Sequence, residues 1–146
     1  MSVGVRQVGG ITLPGLKRQI DAVADGRLRQ KLVGALGREL AASHREAFAQ
    51  EASPSGVPWA PLKRPRPGRK LHVSGALERA ATRPVFRGNT VAFLLPAYAA
   101  RQNFGYPRGA LNNPPPRPFL ALDPLPFSTQ QRIARAMGDV VNAYFA

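Results

Sequence analysis

Proline is the strongest constraint on what this chain can fold into. Fifteen of its 146 residues are proline, and they gather between Pro54 and Pro67 and again between Pro107 and Pro126. Proline lacks an amide donor and fixes φ, so neither cluster suits a helix interior or a central strand. Both stretches are therefore expected as loops, arms or edge segments, with regular structure confined to what lies between them. Pro114-Pro115-Pro116 reads as a stiff, extended strut ahead of the next ordered segment.

The intervening sequence carries clear periods. The first ten residues read as a flexible or edge-pairing lead-in. From Leu13 the pattern is helical, with Leu16, Ile20 and Val23 on one face and Pro14 in the first turn. Asp25-Gly26 either breaks this helix or dents it. Leu28, Leu32, Leu36, Leu40, His44 and Phe48 then follow at steps of four, flanked by Arg29, Lys31, Arg38, Glu39, Arg45 and Glu46. That is a long amphipathic helix ending near Gln50, and its Gly34 and Gly37 would let another element approach closely. Ser74 suits the N-cap of a short helix over Gly75–Ala80.

Two apolar runs around Gly88-Asn89, Val85-Phe86-Arg87 and Thr90 to Leu95, form a hairpin signal closed by Pro84 and Pro96. Tyr98 to Phe104 allows a helical turn or two before Gly105. Arg117 to Leu122 is short enough for a strand. Ser128 and Gln131 match a capping box, after which Ile133, Met137, Val140, Val141 and Tyr144 share a helical face. The fold class read from this order is α+β: a long N-terminal amphipathic helix, a small antiparallel sheet with a central hairpin, and a C-terminal helix packing on it. At this length a single domain over 1–146 is expected, with a flexible basic, proline-rich arm at about 52–72.

Charge is the second constraint. Twenty-one Lys and Arg oppose eight Asp and Glu, a formal net charge of +13. Such an excess attracts polyanions, whether nucleic acid, acidic protein or anionic lipid. Much of it lies in the arm, where Lys63, Arg64, Arg66, Arg69 and Lys70 fall in a stretch with no acid between Glu51 and Glu78. The arm has three readings: a phosphate-contacting segment, an assembly arm that orders against an acidic subunit, or a solvated loop. It has no interleaved aromatics, so base stacking is not indicated.

Chemistry has little to stand on. The chain has no cysteine, which removes disulfides and thiolate metal sites and makes a reducing cytoplasm an adequate home. No apolar run is long enough to span a bilayer, and the N-terminus lacks signal-peptide features. The eight acids mostly sit beside basic residues on helix faces, and none pairs with another at a spacing that suggests converging carboxylates. His44 and His72 have no second ligand type at metal spacing. No catalytic residue, metal or cofactor is therefore expected. Trp59, the only tryptophan, either caps a core edge or anchors an interface. The same choice arises for Phe104, Tyr106 and Phe119 around the second proline cluster.

Four strings carry a resemblance. Ser53-Pro54-Ser55-Gly56-Val57-Pro58-Trp59-Ala60-Pro61-Leu62 resembles S-P-D-G-x-x-W-x-P-L, and Lys70-Leu71-His72-Val73-Ser74-Gly75-Ala76-Leu77 is similar to K-x-L-x-x-[ST]-G-x-L. Tyr98-Ala99-Ala100-Arg101-Gln102-Asn103-Phe104-Gly105 resembles Y-A-x-x-H-x-F-G without its histidine, and Pro116-Arg117-Pro118-Phe119-Leu120 matches P-x-R-P-F-L. In this order they resemble the phage virion-morphogenesis or tail-completion family, which includes Mu-like and P2-like tail completion proteins. The similarity runs from about residue 28 to 122.

The resemblance implies a non-enzymatic virion protein, assembled in the host cytoplasm, that completes the tail and helps form the head–tail neck junction. It implies self-association into a ring, six copies being expected because tail tubes are six-fold. Neck or connector proteins, tail-tube or tail-terminator proteins and genomic DNA in the channel would be neighbours, with no membrane involved. Subunit contacts are expected at Trp59, Leu62, Phe104, Arg117 and Phe119, and contacts to DNA or an acidic partner at Lys63, Arg64, Arg66, Arg69 and Lys70. The alternative is a basic nucleic-acid-binding protein that contacts DNA phosphates through the 63–70 arm. A cell-wall hydrolase is a third, weaker idea, opposed by the scarcity of converging acids.

Overall fold

The structure, a computed structural model, describes residues 12–62, 75–105, 115–122 and 125–146. The lead-in, the basic run Lys63, Arg64, Arg66, Arg69 and Lys70, and also His72, Ser74 and Pro114 lie outside the described residues. Five helices and a two-stranded sheet follow in the order α1 (Leu13–Asp21), α2 (Gly26–Gln50), α3 (Ala76–Thr82), β1 (Val85–Arg87), β2 (Thr90–Ala92), α4 (Ala99–Phe104) and α5 (Phe127–Tyr144). The α+β class expected from sequence holds, but the C-terminal helix packs chiefly on α2, not on the sheet as expected.

Local chemistry sets the boundaries. Thr12 caps α1 by accepting from the Gly15 amide at 3.1 Å, with Pro14 in the first turn where its missing amide costs nothing. Asp25-Gly26 is a break: the Asp25 carboxylate accepts from the Arg27 and Leu28 amides and starts a new helix. The Tyr144 hydroxyl donates to the same carboxylate, tying the end of α5 to the start of α2. This bond is the main cause of an Asp25 pKa below the ordinary carboxylate value. At its far end α2 stops where Glu51 turns left-handed, at φ 50°.

Helix α2 is the axis of the fold, and its period explains why. Residues four apart advance about 400°, so an i+4 apolar run drifts by roughly 40° per step. From Leu28 to Phe48 the apolar line therefore winds around about half the helix and meets different neighbours along its length. Leu28, Leu32 and Val33 pack with Ile20 of α1. Leu40 joins Leu16, Ala121, Leu125 and Ile133, and Phe48 joins Trp59, Leu77, Ala81, Ala99 and Phe119. Three small clusters strung on one helix replace a single large core.

Two further sequence expectations are corrected. The capping box at Ser128 and Gln131 does not form: α5 starts earlier, at Phe127 with Pro126 at the N-cap, and no side chain caps it. Ile133 is fully buried and Met137, Val140 and Tyr144 are partly so, but Val141 faces solvent. Second, among the described residues Arg117–Leu122 joins no strand and bends at Leu120, so the only sheet among them is the hairpin, with register Val85↔Ala92, Phe86↔Val91 and Arg87↔Thr90. Gly88 supplies the positive φ, at 58°, while Asn89 does not.

The hairpin lies on α2 at Gly37, where an added Cβ would sit 2.6 Å from Phe86 Cε1 and 3.1 Å from Val91 Cγ1. At Gly34 it would meet only the mobile end of Arg38, at 3.2 Å. Gly34→Ala should therefore stabilise by roughly 0.5–1 kcal/mol through helix propensity. Gly37→Ala should lose that gain to overpacking, which costs about 1–3 kcal/mol. Urea midpoints check this: Gly37→Ala falls below Gly34→Ala, and equal stabilisation by both would refute the close packing.

Candidate functional site

The two proline-rich stretches, far apart in sequence, meet at the end of α2. Beyond Glu51 the chain reverses through a loop held by Ser53, whose amide donates to the Val57 carbonyl at 2.8 Å and whose hydroxyl accepts from the Val57 amide at 3.1 Å. This brings Trp59 back against Phe48, ring centroids 5.6 Å apart and nearly perpendicular. Phe119 also packs on Phe48, ring centroids 5.2 Å apart and tilted by 45°. Edge contacts between such rings add to plain apolar burial.

Polar bonds then cross-brace the two stretches. The Trp59 indole N–H donates to the Pro118 carbonyl at 2.7 Å. In return the buried Arg117 guanidinium donates to the Ala60 carbonyl through Nε at 3.1 Å and to the Pro61 carbonyl through one Nη at 3.0 Å. Proline segments have few amide donors of their own, so their carbonyls take donors from side chains.

The amides of the 117–121 segment are satisfied just as specifically. Arg117 donates to the Gln102 carbonyl, and the Phe119 and Leu120 amides both donate to Asn103 Oδ1, at 2.9 and 3.0 Å. The Ala121 amide donates to His44 Nε2 at 3.0 Å, and His44 Nδ1 lies 2.7 Å from the Ala81 carbonyl. Since Nε2 faces a donor it must accept, so the ring proton sits on Nδ1 and the imidazole is neutral. Burial pushes the His44 pKa down, opposed in part by the Ala81 carbonyl.

Of the expected contact residues, Trp59, Arg117 and Phe119 are buried within the subunit's own fold, and Leu62 is half-buried. Phe104 alone is well exposed, at 65%. It stands on the rim of an open groove of about 690 Å³ that runs between the Ser53–Ala60 loop, the end of α4 and the 115–126 stretch. Exposed Val57 and Leu122 also line it, and Trp59 and Asn103 contribute to its wall. Sequence reasoning found Trp59 and the arginine but missed Asn103, which had no signal beyond its place beside Phe104-Gly105. It also left His44 without a task.

Several groups that could do chemistry are committed elsewhere. Both nitrogens of His44 are bonded, Glu39 and Glu46 both pair with Arg132 at 3.3 and 2.7 Å, and Asp21 pairs with Lys17 at 3.0 Å. Among the described residues no cluster of three or more His, Asp or Glu could hold a metal ion, and no helix is long and apolar enough to cross a membrane.

A proton on Nε2 of His44 would point at the Ala121 N–H, so the folded state resists protonation. With its folded pKa depressed, the histidine's contribution is fully present above about pH 6.5, the ordinary value, and is lost as pH falls below it. Melting followed between about pH 7.5 and 5 should show stability falling by up to about 1.4 kcal/mol per pH unit, the slope for one proton. In His44→Gln this dependence should flatten on a lower baseline. An unchanged slope in that variant would assign the effect to another group.

The family model for phage virion morphogenesis proteins matches residues 14–87, which include α1, α2, the Ser53–Trp59 turn, α3 and the first hairpin strand. No match to the chain is found among curated proteins or among solved structures. With half the chain matched by that model, the chain belongs to the phage virion morphogenesis family and is a structural protein of a phage particle.

Proposed function

We propose that this subunit is added late in assembly to complete the phage tail. In this reading it forms an oligomeric ring, six copies being the natural number, and helps make the head–tail neck junction. Its work is adhesion and sealing, with no substrate turned over. Its neighbours would be connector or neck proteins on one side and tail-tube or tail-terminator proteins on the other. The observation that carries the reading is the family match across residues 14–87.

The geometry supports it in two ways. The cross-brace of Trp59 and Arg117 fixes the chain at Ala60 and Pro61, immediately before the basic run in sequence. Beside that brace, Val57, Phe104 and Leu122 leave apolar side chains in solvent around a groove, the composition that subunit contacts use. Buried Trp59 acts through the fold, so its truncation cannot isolate an interface. Exposed Phe104 can.

Complementation of particles lacking this chain tests the proposal. The wild-type protein should restore joined, infectious particles. Phe104→Ala, with an unchanged melting temperature, should enter particles at least about tenfold less efficiently, the scale of an interface anchor worth more than about 1.4 kcal/mol. Normal incorporation would remove Phe104 from the contact surface. Complete, DNA-filled particles with joined tails in the absence of the chain would end the proposal.

A further inference from the structure

Helix α2 is packed on three sides, and its one open side is uniformly cationic. At about 100° per residue, Arg27, Lys31, Arg38 and Arg45 fall within an arc of roughly 40°, and all four are exposed. They span about 27 Å along the helix axis. The helix has two acids, Glu39 and Glu46, and both are turned around the helix to Arg132 of α5. Asp25, at the N-cap beside Arg27, spends its carboxylate on two backbone amides and the Tyr144 hydroxyl. The ridge is left with its cations and no acid of its own helix.

What separates the cations identifies the partner. Gly34, Ala42 and Ala49 lie nearest these cations, exposed Gln30 stands at the edge of the arc, and Ala41 and Phe48 at that edge are buried in the core, so the exposed ridge offers no aromatic or large aliphatic anchor. Protein interfaces are organised around such anchors; arginine is common in them, but their buried centres are depleted in charged residues as a class. A bilayer would require an apolar face beside the basic one, but the apolar side chains of α2 are consumed by the three clusters. A line of separated charges on a stiff rod suits a regular row of phosphates, which needs positive charge and close approach only. We propose that the α2 ridge, through Arg27, Lys31, Arg38 and Arg45, binds the sugar-phosphate backbone of duplex DNA without reading its sequence. This site uses no residue of the 63–70 segment, and it does not depend on where in the particle the subunit sits.

The test measures binding of the full chain to a short duplex of mixed sequence by fluorescence anisotropy over a range of salt concentrations. Each phosphate neutralised contributes about −0.9 to the slope of log K against log salt. Replacing all four residues (Arg27→Gln, Lys31→Gln, Arg38→Gln, Arg45→Gln) should make the slope shallower by roughly 3–4. The side chains are exposed, so helical content and melting temperature should be retained, and Arg38→Glu with Arg45→Glu, an equal change in net charge, gives a second variant with a comparable loss. A parallel variant neutralises Lys63, Arg64, Arg66, Arg69 and Lys70. A shallower slope in the ridge variant supports the proposal whatever the parallel variant does. It is overturned if the ridge variant keeps the wild-type slope, or if the wild-type chain does not bind duplex DNA, as when the ridge instead meets an acidic protein.

Discussion

A largely buried segment that pairs with no strand among the described residues must find hydrogen bonds for its amides elsewhere, and this fold is arranged around that requirement. Between Arg117 and Ala121 the donors go to the Gln102 carbonyl, twice to Asn103 Oδ1, and to His44 Nε2, while Pro118 has none to place. An unpaired buried amide costs about 1–3 kcal/mol, so losing these acceptors would consume much of the stability of a domain this size. Two side chains therefore do what a third strand would do. They also join elements that share no ladder: α2 through His44, α3 through Ala81, and α4 through Asn103.

This solution suits a chain rich in proline. A strand built from Pro116-Arg117-Pro118 could not have donated regularly to a sheet, whereas individual side chains can meet individual amides. The carbonyls left over become acceptors for Trp59 and Arg117, which lock the second proline stretch to the first. Phe48, Trp59 and Phe119 fill the space beneath. The outcome is a cross-braced corner where the two proline-rich stretches meet.

Much of the fold was legible because it is local. The end of α2 near Gln50, the hairpin around Gly88, the start of α1 at Leu13 and the stop at Gly105 all rest on caps, turns and periods within a few residues. The i+4 line on α2 was legible as apolar, but the drift that distributes it among three clusters needs the positions of the neighbours. What could not be read was long-range and polar. Nothing near His44 announces Ala121, 77 residues away, and nothing near Asn103 announces the two amides it accepts. For the same reason Arg117, Trp59 and Phe119 read as contact residues: composition marks them as unusual in a proline stretch, and only packing reveals that they face inward.

The same limit applies to charge. The formal +13 is visible at once, but its distribution over α2 depends on Arg132 drawing Glu39 and Glu46 to one side, a contact made across 86 residues in the second case. The claim on which the architecture rests is that side chains satisfy the 117–121 amides as firmly as a strand would. Native-state hydrogen exchange tests it directly. The amides of Phe119, Leu120 and Ala121 should exchange as slowly as those at the centre of α2, opening only with global unfolding. Fast exchange at these three, with α2 still protected, would contradict the account.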